Sequence, residues 1–308
     1  MEFFKANPKI PFMRQRWLAA VISGIIFICA IASLCVNGLD LGLDFTGGTQ
    51  AEVAFTQTVS TNTLREELIK AGFAQASVQA YVKSSGDNNM FSIRIGLYKS
   101  LTQEQLKEKL LAAMPGAHVN KLEYIGPAVG QQLLTNGILA VVLAFIGTMS
   151  YIALRFEYRF SLSAAIALVH DPVLILGVFS FFHLQFDMIV LTALLTVIGY
   201  SLNDTIVVYD RVRENFRKIR KLPPLEIMDL SINQTLSRTI MTSGLTFMVV
   251  FILFLYGGES VHYFALALML GIVVGTYSSI YVAGSLAIAF GLTRSSLIPQ
   301  QKFVDDRP

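Results

Sequence analysis

The chain predicts a polytopic α-helical membrane protein with six transmembrane helices and one small α+β domain outside the bilayer. Three observations carry that prediction. Hydrophobic residues make up 54% of the 308 residues and charged ones only 15%, with a mean hydropathy of +0.57, too apolar for an ordinary soluble globule. Six apolar runs, at 17–36, 133–154, 161–183, 188–209, 239–257 and 262–291, approach or exceed the roughly 20 residues that cross a bilayer. Between the first and second runs, residues 37–132 have soluble composition and enough length for one domain.

The first run follows a basic start and opens on Trp17. A cleavable signal peptide shares those flanks, but the run is longer than a signal core and no small-x-small site follows it, so a retained membrane helix is expected. Cys29 and Cys35, the two cysteines of the chain, lie six residues apart on this helix. At that spacing they cannot readily bridge each other, and they read as buried apolar thiols, with neither disulfide nor metal site implied.

Lys and Arg set the orientation, because short cytoplasmic loops collect positive charge. Lys5, Lys9, Arg14 and Arg16 precede the first run, Arg155 and Arg159 separate the second from the third, and Arg211 to Lys221 follow the fourth. Arg294, Lys302 and Arg307 end the chain, whereas 184–187 and 257–261 contain no Lys or Arg. Both termini are therefore expected in the cytoplasm and the soluble domain across the membrane.

That domain reads as strand (TQAEVAFTQ), helix (TLREELIKAGF), strand (ASVQAYV), strand (NMFSIRIGL), helix (TQEQLKEKLLAAM) and strand (AHVNKLEYIG). The hydrophobic period switches between two and 3.6 accordingly. Thr102 and Gln105 have capping-box spacing, and Gly72 suits a helix stop. The order βαββαβ predicts a ferredoxin-like split βαβ arrangement, with helices on one sheet face and the other face free for a partner. His118 is isolated, and Arg65, Glu66, Glu67, Glu104, Lys107, Glu108 and Lys109 read as solvated helix faces. No nucleophile–base–acid set assembles in this domain, so a binding or mechanical role is expected rather than an enzymatic one.

Two segments flank the domain. GLDLGLDFTGGTQ leads into it, and GPAVGQQL returns to the membrane. Asp44 reads as a loop or cap residue and Gly47 and Gly48 as a linker or hinge that allows tight turns. A phosphate-binding loop is disfavoured, since no Lys follows and no helix starts directly after the glycines.

Within the membrane, Asp204 is the conspicuous residue. A carboxylate at the centre of a membrane helix costs about 2.5 to 3.5 kcal/mol, and such residues pair, face water or relay protons. Thr196, Gly199, Tyr200, Asn203, Asp204 and Val207 recur at spacings of three and four and form one stripe, expected to face protein. Arg238, at the mouth of the fifth run, is the best counter-charge within the chain. Burial favours a neutral carboxyl and a guanidinium favours a carboxylate, so making or breaking an Asp204–Arg238 contact changes proton affinity with conformation. Snorkelling of Arg238 to the headgroups and a static buried ion pair are the structural alternatives.

Asp171, after His170 and before Pro172 in the third run, is a second candidate, with helix-to-helix hydrogen bonding the favoured reading and an ion site the other. Asp210 reads as interfacial. The basic run DRVRENFRKIRK is explained by topology and attraction to anionic lipids rather than by nucleic acid. After Pro223 and Pro224, Leu225, Met228, Ile232 and Leu236 predict a short amphipathic helix on the membrane surface. The chain thus divides into a tail and first span (1–36), the external domain (37–132), spans two to four (133–209), a basic loop with amphipathic helix (210–237), spans five and six (238–291) and a tail (292–308).

Five stretches together resemble the SecF family, subunits of the bacterial SecDF protein-export complex: DFTGG, GPAVG, AIALVHD, VIGYSLNDTIVVYDRVRENFRK and QTLSRTIMTSG. The resemblance spans essentially the whole chain, and the fourth-run motif is highly specific. It implies a place in the resistance-nodulation-division superfamily and in the bacterial inner membrane, with 37–132 periplasmic. It implies SecD, the SecYEG channel, YajC, translocating preproteins and membrane lipids as partners, and protons as coupling ion without a cofactor, Na⁺ being the alternative. Asp204 of NDT and Arg238 of SRT fall on family positions implicated in proton transport. Two other readings stay open: a small-molecule efflux permease, which would need its own substrate cavity, and a passive scaffold, which would need no proton chemistry.

Overall fold

In the computed structural model, residues 9–55, 59–73, 76–81, 90–96 and 103–293 are described. Lys5, Thr102, Arg294, Lys302 and Arg307, used above for orientation and a helix cap, lie outside them. A 3₁₀ turn, Phe12–Gln15, leads into α1 (Arg16–Val36), followed by β1 (Asp40–Leu41) and α2 (Leu43–Thr46). The domain comprises β2 (Gly48–Phe55), α3 (Thr61–Lys70), β3 (Ser77–Tyr81), β4 (Met90–Ile95), α4 (Gln103–Ala113) and β5 (Ala117–Ile125). The remaining elements are α5 (Pro127–Arg155), α6 (Tyr158–Phe181), β6 (Gln185–Phe186), α7 (Met188–Lys218), α8 (Pro224–Tyr256), α9 (Glu259–Tyr277), a π-helical stretch Ser278–Ala283 and α10 (Gly284–Ala289). Six helical segments among the described residues are long and apolar enough to cross a membrane.

The domain sheet has the order β3-β4-β2-β5 with every pairing antiparallel, the strand order of a split βαβ unit. Alternation explains its core. Val53, Phe91 and Ile93 project from the strands onto Leu64 and Leu68 of α3 and Leu110 of α4, all essentially buried. Ser60 caps α3 by accepting the Asn62 amide at 3.3 Å, and Gly72 after it has a φ of +92°, open to glycine.

In the bundle, α6 and α7 are the interior helices, 56% and 50% buried over their most apolar windows, against 11% to 17% for α1, α5 and α8. Small residues let them close. A Cβ on Gly177 of α6 would strike Ala30 of α1, and one on Gly271 of α9 would strike Val197 of α7. Tyr209, fully buried on α7, shares a 2.7 Å hydrogen bond with Ser163 of α6 and donates to the Ala283 carbonyl at 3.1 Å.

Four expectations are corrected. The second membrane helix begins at Pro127, not 133, with Pro in the first turn where its missing N–H costs nothing. The basic segment is not a loop at first, because α7 continues as helix to Lys218. The amphipathic stretch after Pro224 is not a separate surface helix but the first part of α8. Its apolar face, Ile227, Met228 and Ile232, packs on Phe216, Phe12 and Met13 in one core. The N-terminal strand of chain is stitched there too, with Asn233 bonded to both the amide and carbonyl of Ile10 and Asp229 accepting the Met13 amide at 2.8 Å. Finally, Cys29 and Cys35 are free and exposed on the open side of α1 rather than packed inside the chain.

Candidate functional site within the membrane

Asp204 lies on α7 and is 3% exposed. Its Oδ2 accepts one hydrogen bond, from Ser243 Oγ of α8 at 3.3 Å. Ser243 in turn receives Thr276 Oγ1 of α9 at 3.0 Å and Tyr200 OH of α7 at 3.4 Å. Three helices therefore meet at this carboxylate through hydroxyl groups. Arg238 is exposed, five residues before Ser243 on α8, and no ion pair joins it to Asp204.

The polar stripe of α7 splits along its length. Asp204 points inward, but Asn203, Thr196 and Gly199 are exposed, and nothing lies within 4 Å of a Cβ placed on Gly199. Contrary to the expectation from the sequence, Asn203 does not pack inside this chain. At 100° per residue, a stripe this wide straddles the boundary between the packed and the open face of the helix.

Asp171 on α6 is 1% exposed and more richly held. Ser201 Oγ of α7 and Ser278 Oγ of the π stretch both donate to Oδ2, the latter at 2.7 Å. His170 Nδ1 sits 2.9 Å from Oδ1, and His170 Nε2 lies 2.7 Å from Ser23 Oγ of α1. The sequence singled out Asp171 but not Ser23, one of two serines in the first apolar run.

A third carboxylate group stands where the domain joins the bundle. Asp44 of α2 accepts the Met188 amide at 2.9 Å and Asp187 accepts the Val190 amide at 2.8 Å, so both satisfy the first turn of α7. Burial pushes the Asp187 carboxyl up from its ordinary value, the Val190 amide opposes this, and neighbouring Asp44 adds to it. The segment holding Asp44, Gly47 and Gly48 is a packed junction. β1 pairs with β6 in parallel, and a Cβ on Gly130 of α5 would come within 3.0 Å of the Gly47 nitrogen and the Phe45 carbonyl. Gly48 has a φ of +137° and a Cβ there would meet the Ile95 carbonyl at 2.5 Å, so both conformation and space require glycine. Asp210, read as interfacial, pairs with Arg155 at 2.9 Å at an exposed edge.

Fold and interior define a multi-pass helical membrane protein that buries ionisable groups between its helices and carries a split βαβ domain at one end. Comparison with known proteins narrows the class. The family described as protein export membrane protein SecD/SecF, C-terminal, matches residues 105–293, and the SecD/SecF GG motif matches 32–59. A protein translocase subunit SecF from Vibrio alginolyticus is 44% identical over 97% of this chain and 96% of its own length, and one from Pseudomonas aeruginosa is 41% identical over 97% and 98%. The crystal structure of SecDF, a translocon-associated membrane protein from Thermus thermophilus, superposes with a TM-score of 0.85 at 35% identity, covering 94% of this chain and 39% of that one. SecDF in a super-membrane-facing form gives 0.70 at the same identity and coverage. The chain belongs to the SecF family of protein-export membrane proteins.

Proposed function

We propose that this chain is the SecF-type half of a SecDF unit in the bacterial inner membrane. It pairs with a SecD subunit, works beside the SecYEG channel with YajC as a further partner, and uses the proton motive force to move its periplasmic domain so that preproteins advance rather than slide back. It acts as a coupling subunit, not as an enzyme. The observation that carries this reading is Asp204: buried inside the membrane bundle, held by a single 3.3 Å hydroxyl contact, with an exposed guanidinium nearby and no ion pair between them.

A static structural ion pair would be closed in every state. An under-satisfied carboxylate near an arginine that forms no ion pair among the described residues instead gains or loses a partner when the helices shift, and protonation follows. One charge crossing 100 mV supplies about 2.3 kcal/mol, and repeated cycles can move a domain on the side of the membrane that lacks ATP. The domain is mechanically connected to this site, because its linker caps the N-terminus of α7, the helix that carries Asp204. Two solved SecDF forms that match this chain equally in identity but at TM-scores of 0.85 and 0.70 support a unit with more than one arrangement. The open face of α7, with Thr196, Gly199 and Asn203, suits close approach by a helix of the SecD half.

The test is export in proteoliposomes containing SecYEG and the complex with SecD, under separate proton and sodium gradients. Asp204→Asn and Arg238→Ala should each abolish stimulation by the proton gradient while the complex still co-purifies. Full stimulation in Asp204→Asn overturns the reading, and stimulation by the sodium gradient alone reassigns the coupling ion.

A further inference from the structure

The proposed function uses one of the two carboxylates buried among the membrane helices and leaves the other unexplained. Asp171 Oδ2 accepts from the hydroxyls of Ser201 and Ser278, and its Oδ1 lies 2.9 Å from His170 Nδ1, which donates to it in the Nδ1–H tautomer. An ionised carboxylate accepts only, so this arrangement fits charged Asp171. In the tautomer that donates from Nδ1, His170 Nε2 accepts from Ser23. The order Ser23–His170–Asp171 is that of a hydrolase triad. Yet Ser23 sits in the middle of α1, where the surrounding backbone amides are committed to the helix and cannot form an oxyanion hole. What remains is a group built to hold a proton.

We infer that His170 and Asp171 form a second proton station of the membrane unit, in series with Asp204 and on the domain side of it. This rests on the proton-coupled reading of Asp204. Ser201, which donates to Asp171, precedes Asp204 by three residues on α7, about 4.5 Å at helical rise and toward the end where the domain is attached. Thr276 leads through Ser243 to Asp204, while Ser278, two residues on, donates to Asp171. The stretch from Thr276 to Ser278 thus reaches both carboxylates, directly at Asp171 and through Ser243 of α8 at Asp204.

The surroundings suit a group whose bonds change. Pro172 removes one backbone hydrogen bond from α6 beside Asp171, and α9 gives way to a π stretch at Ser278, so the backbone bonding of both segments is altered at this level. His170 stacks on Phe27 of α1 at 5.7 Å and borders a cavity of about 570 Å³. The phenols of Tyr277 and Tyr281 line that cavity. From α7 the facing groups are Ser201 and, one turn on, Asp204; α5 presents Phe145; and α1 presents Ser23, with Arg16 two turns away.

A proton on Asp171 turns one accepting oxygen into a donor, so at least one tether to α6, α7 or the π stretch must re-aim. A proton on His170 turns Nε2 from acceptor to donor, and Ser23 must reverse its hydroxyl. Because α1 runs directly into the domain linker, either event reaches the helices that carry the domain.

The experiment is nitrogen-15 NMR of histidine-labelled complex with SecD in lipid, combined with export assays. The chain has four histidines, and His170→Gln identifies the signal of His170. The expected result is a His170 signal that differs with and without an imposed proton gradient, a difference that changes in Asp204→Asn. Proton-driven export should fall about tenfold or more in Asp171→Asn, recover in part in Asp171→Glu, and lose its pH dependence in His170→Gln. A His170 signal that responds neither to the gradient nor to Asp204→Asn, with His170→Gln exporting at the original rate and pH profile, overturns the inference. If Asp204→Asn is inactive in that case, the single-station reading stands; if Asp204→Asn is active, that reading fails as well.

Discussion

At the N-terminus of α7, Asp44 and Asp187 are held by backbone amides at 2.9 and 2.8 Å, whereas at mid-helix Asp204 has one hydroxyl at 3.3 Å. The first arrangement uses groups that are obliged to be there, since the opening turn of any helix has free N–H donors and a favourable dipole for anions. It fixes the domain to the helix. The second relies on side chains from α8 and α9 that move when those helices move. Asp171 lies between these extremes, with three partners that all come from side chains. The contrast separates carboxylates held by backbone amides from carboxylates held by side chains.

Substitutions can break that contrast at either end. The largest expected effect is functional: Asp204→Asn should abolish the proton-driven component of export yet leave the thermal unfolding midpoint of the complex nearly unchanged, because little bonding is lost. Asp171→Ala should do more to the fold. It leaves buried donors from three elements without an acceptor, a loss of about 2 to 4 kcal/mol, read as a lower unfolding midpoint in detergent. Gly177→Leu should destabilise by about 1 to 3 kcal/mol through overpacking against Ala30. Gly199→Leu, on the open face, should leave the isolated chain's stability unchanged and weaken co-purification with SecD.

Smaller effects belong to the junction. Asp187→Ala should cost about 1 kcal/mol through loss of the α7 cap, measurable by chemical denaturation of the complex. The carboxyl of Asp187 is raised by burial, so the folded chain holds that proton more readily than the unfolded one. Ionisation therefore works against the fold, and this group's contribution to stability should rise as pH falls through its folded value toward the lower, unfolded one, and be lost as pH rises through the folded value. Asp187→Asn should flatten that slope.

Much of this was legible in the sequence because it rests on local period. The alternation of AEVAF and FSIRI and the helical spacing of LREELI place the domain elements within a few residues, and the carboxylate in SLNDT announces itself by its cost. What was not legible depends on distant partners. An apolar face such as Leu225 to Leu236 looks the same whether it meets lipid or Phe216. The exposure of Asn203 depends on how far the neighbouring helices wrap around α7. Ser23 and His170 are separated by 147 positions, and no periodicity links a serine in one apolar run to a histidine in another. The β1–β6 pairing joins two-residue strands too short to carry a pattern.

The central proposal is that protonation of Asp204 controls the position of the external domain. It is tested most directly by the distance between spin labels on α3 of the domain and on the exposed end of α5, at Asn62→Cys and Leu154→Cys, with Cys29 and Cys35 replaced by Ala and Ser. The complex with SecD is measured in lipid vesicles with and without an imposed proton gradient. The account predicts two distance populations whose ratio changes with the gradient, and a single gradient-independent population in Asp204→Asn. An Asp204→Asn complex that redistributes like the parent would contradict it.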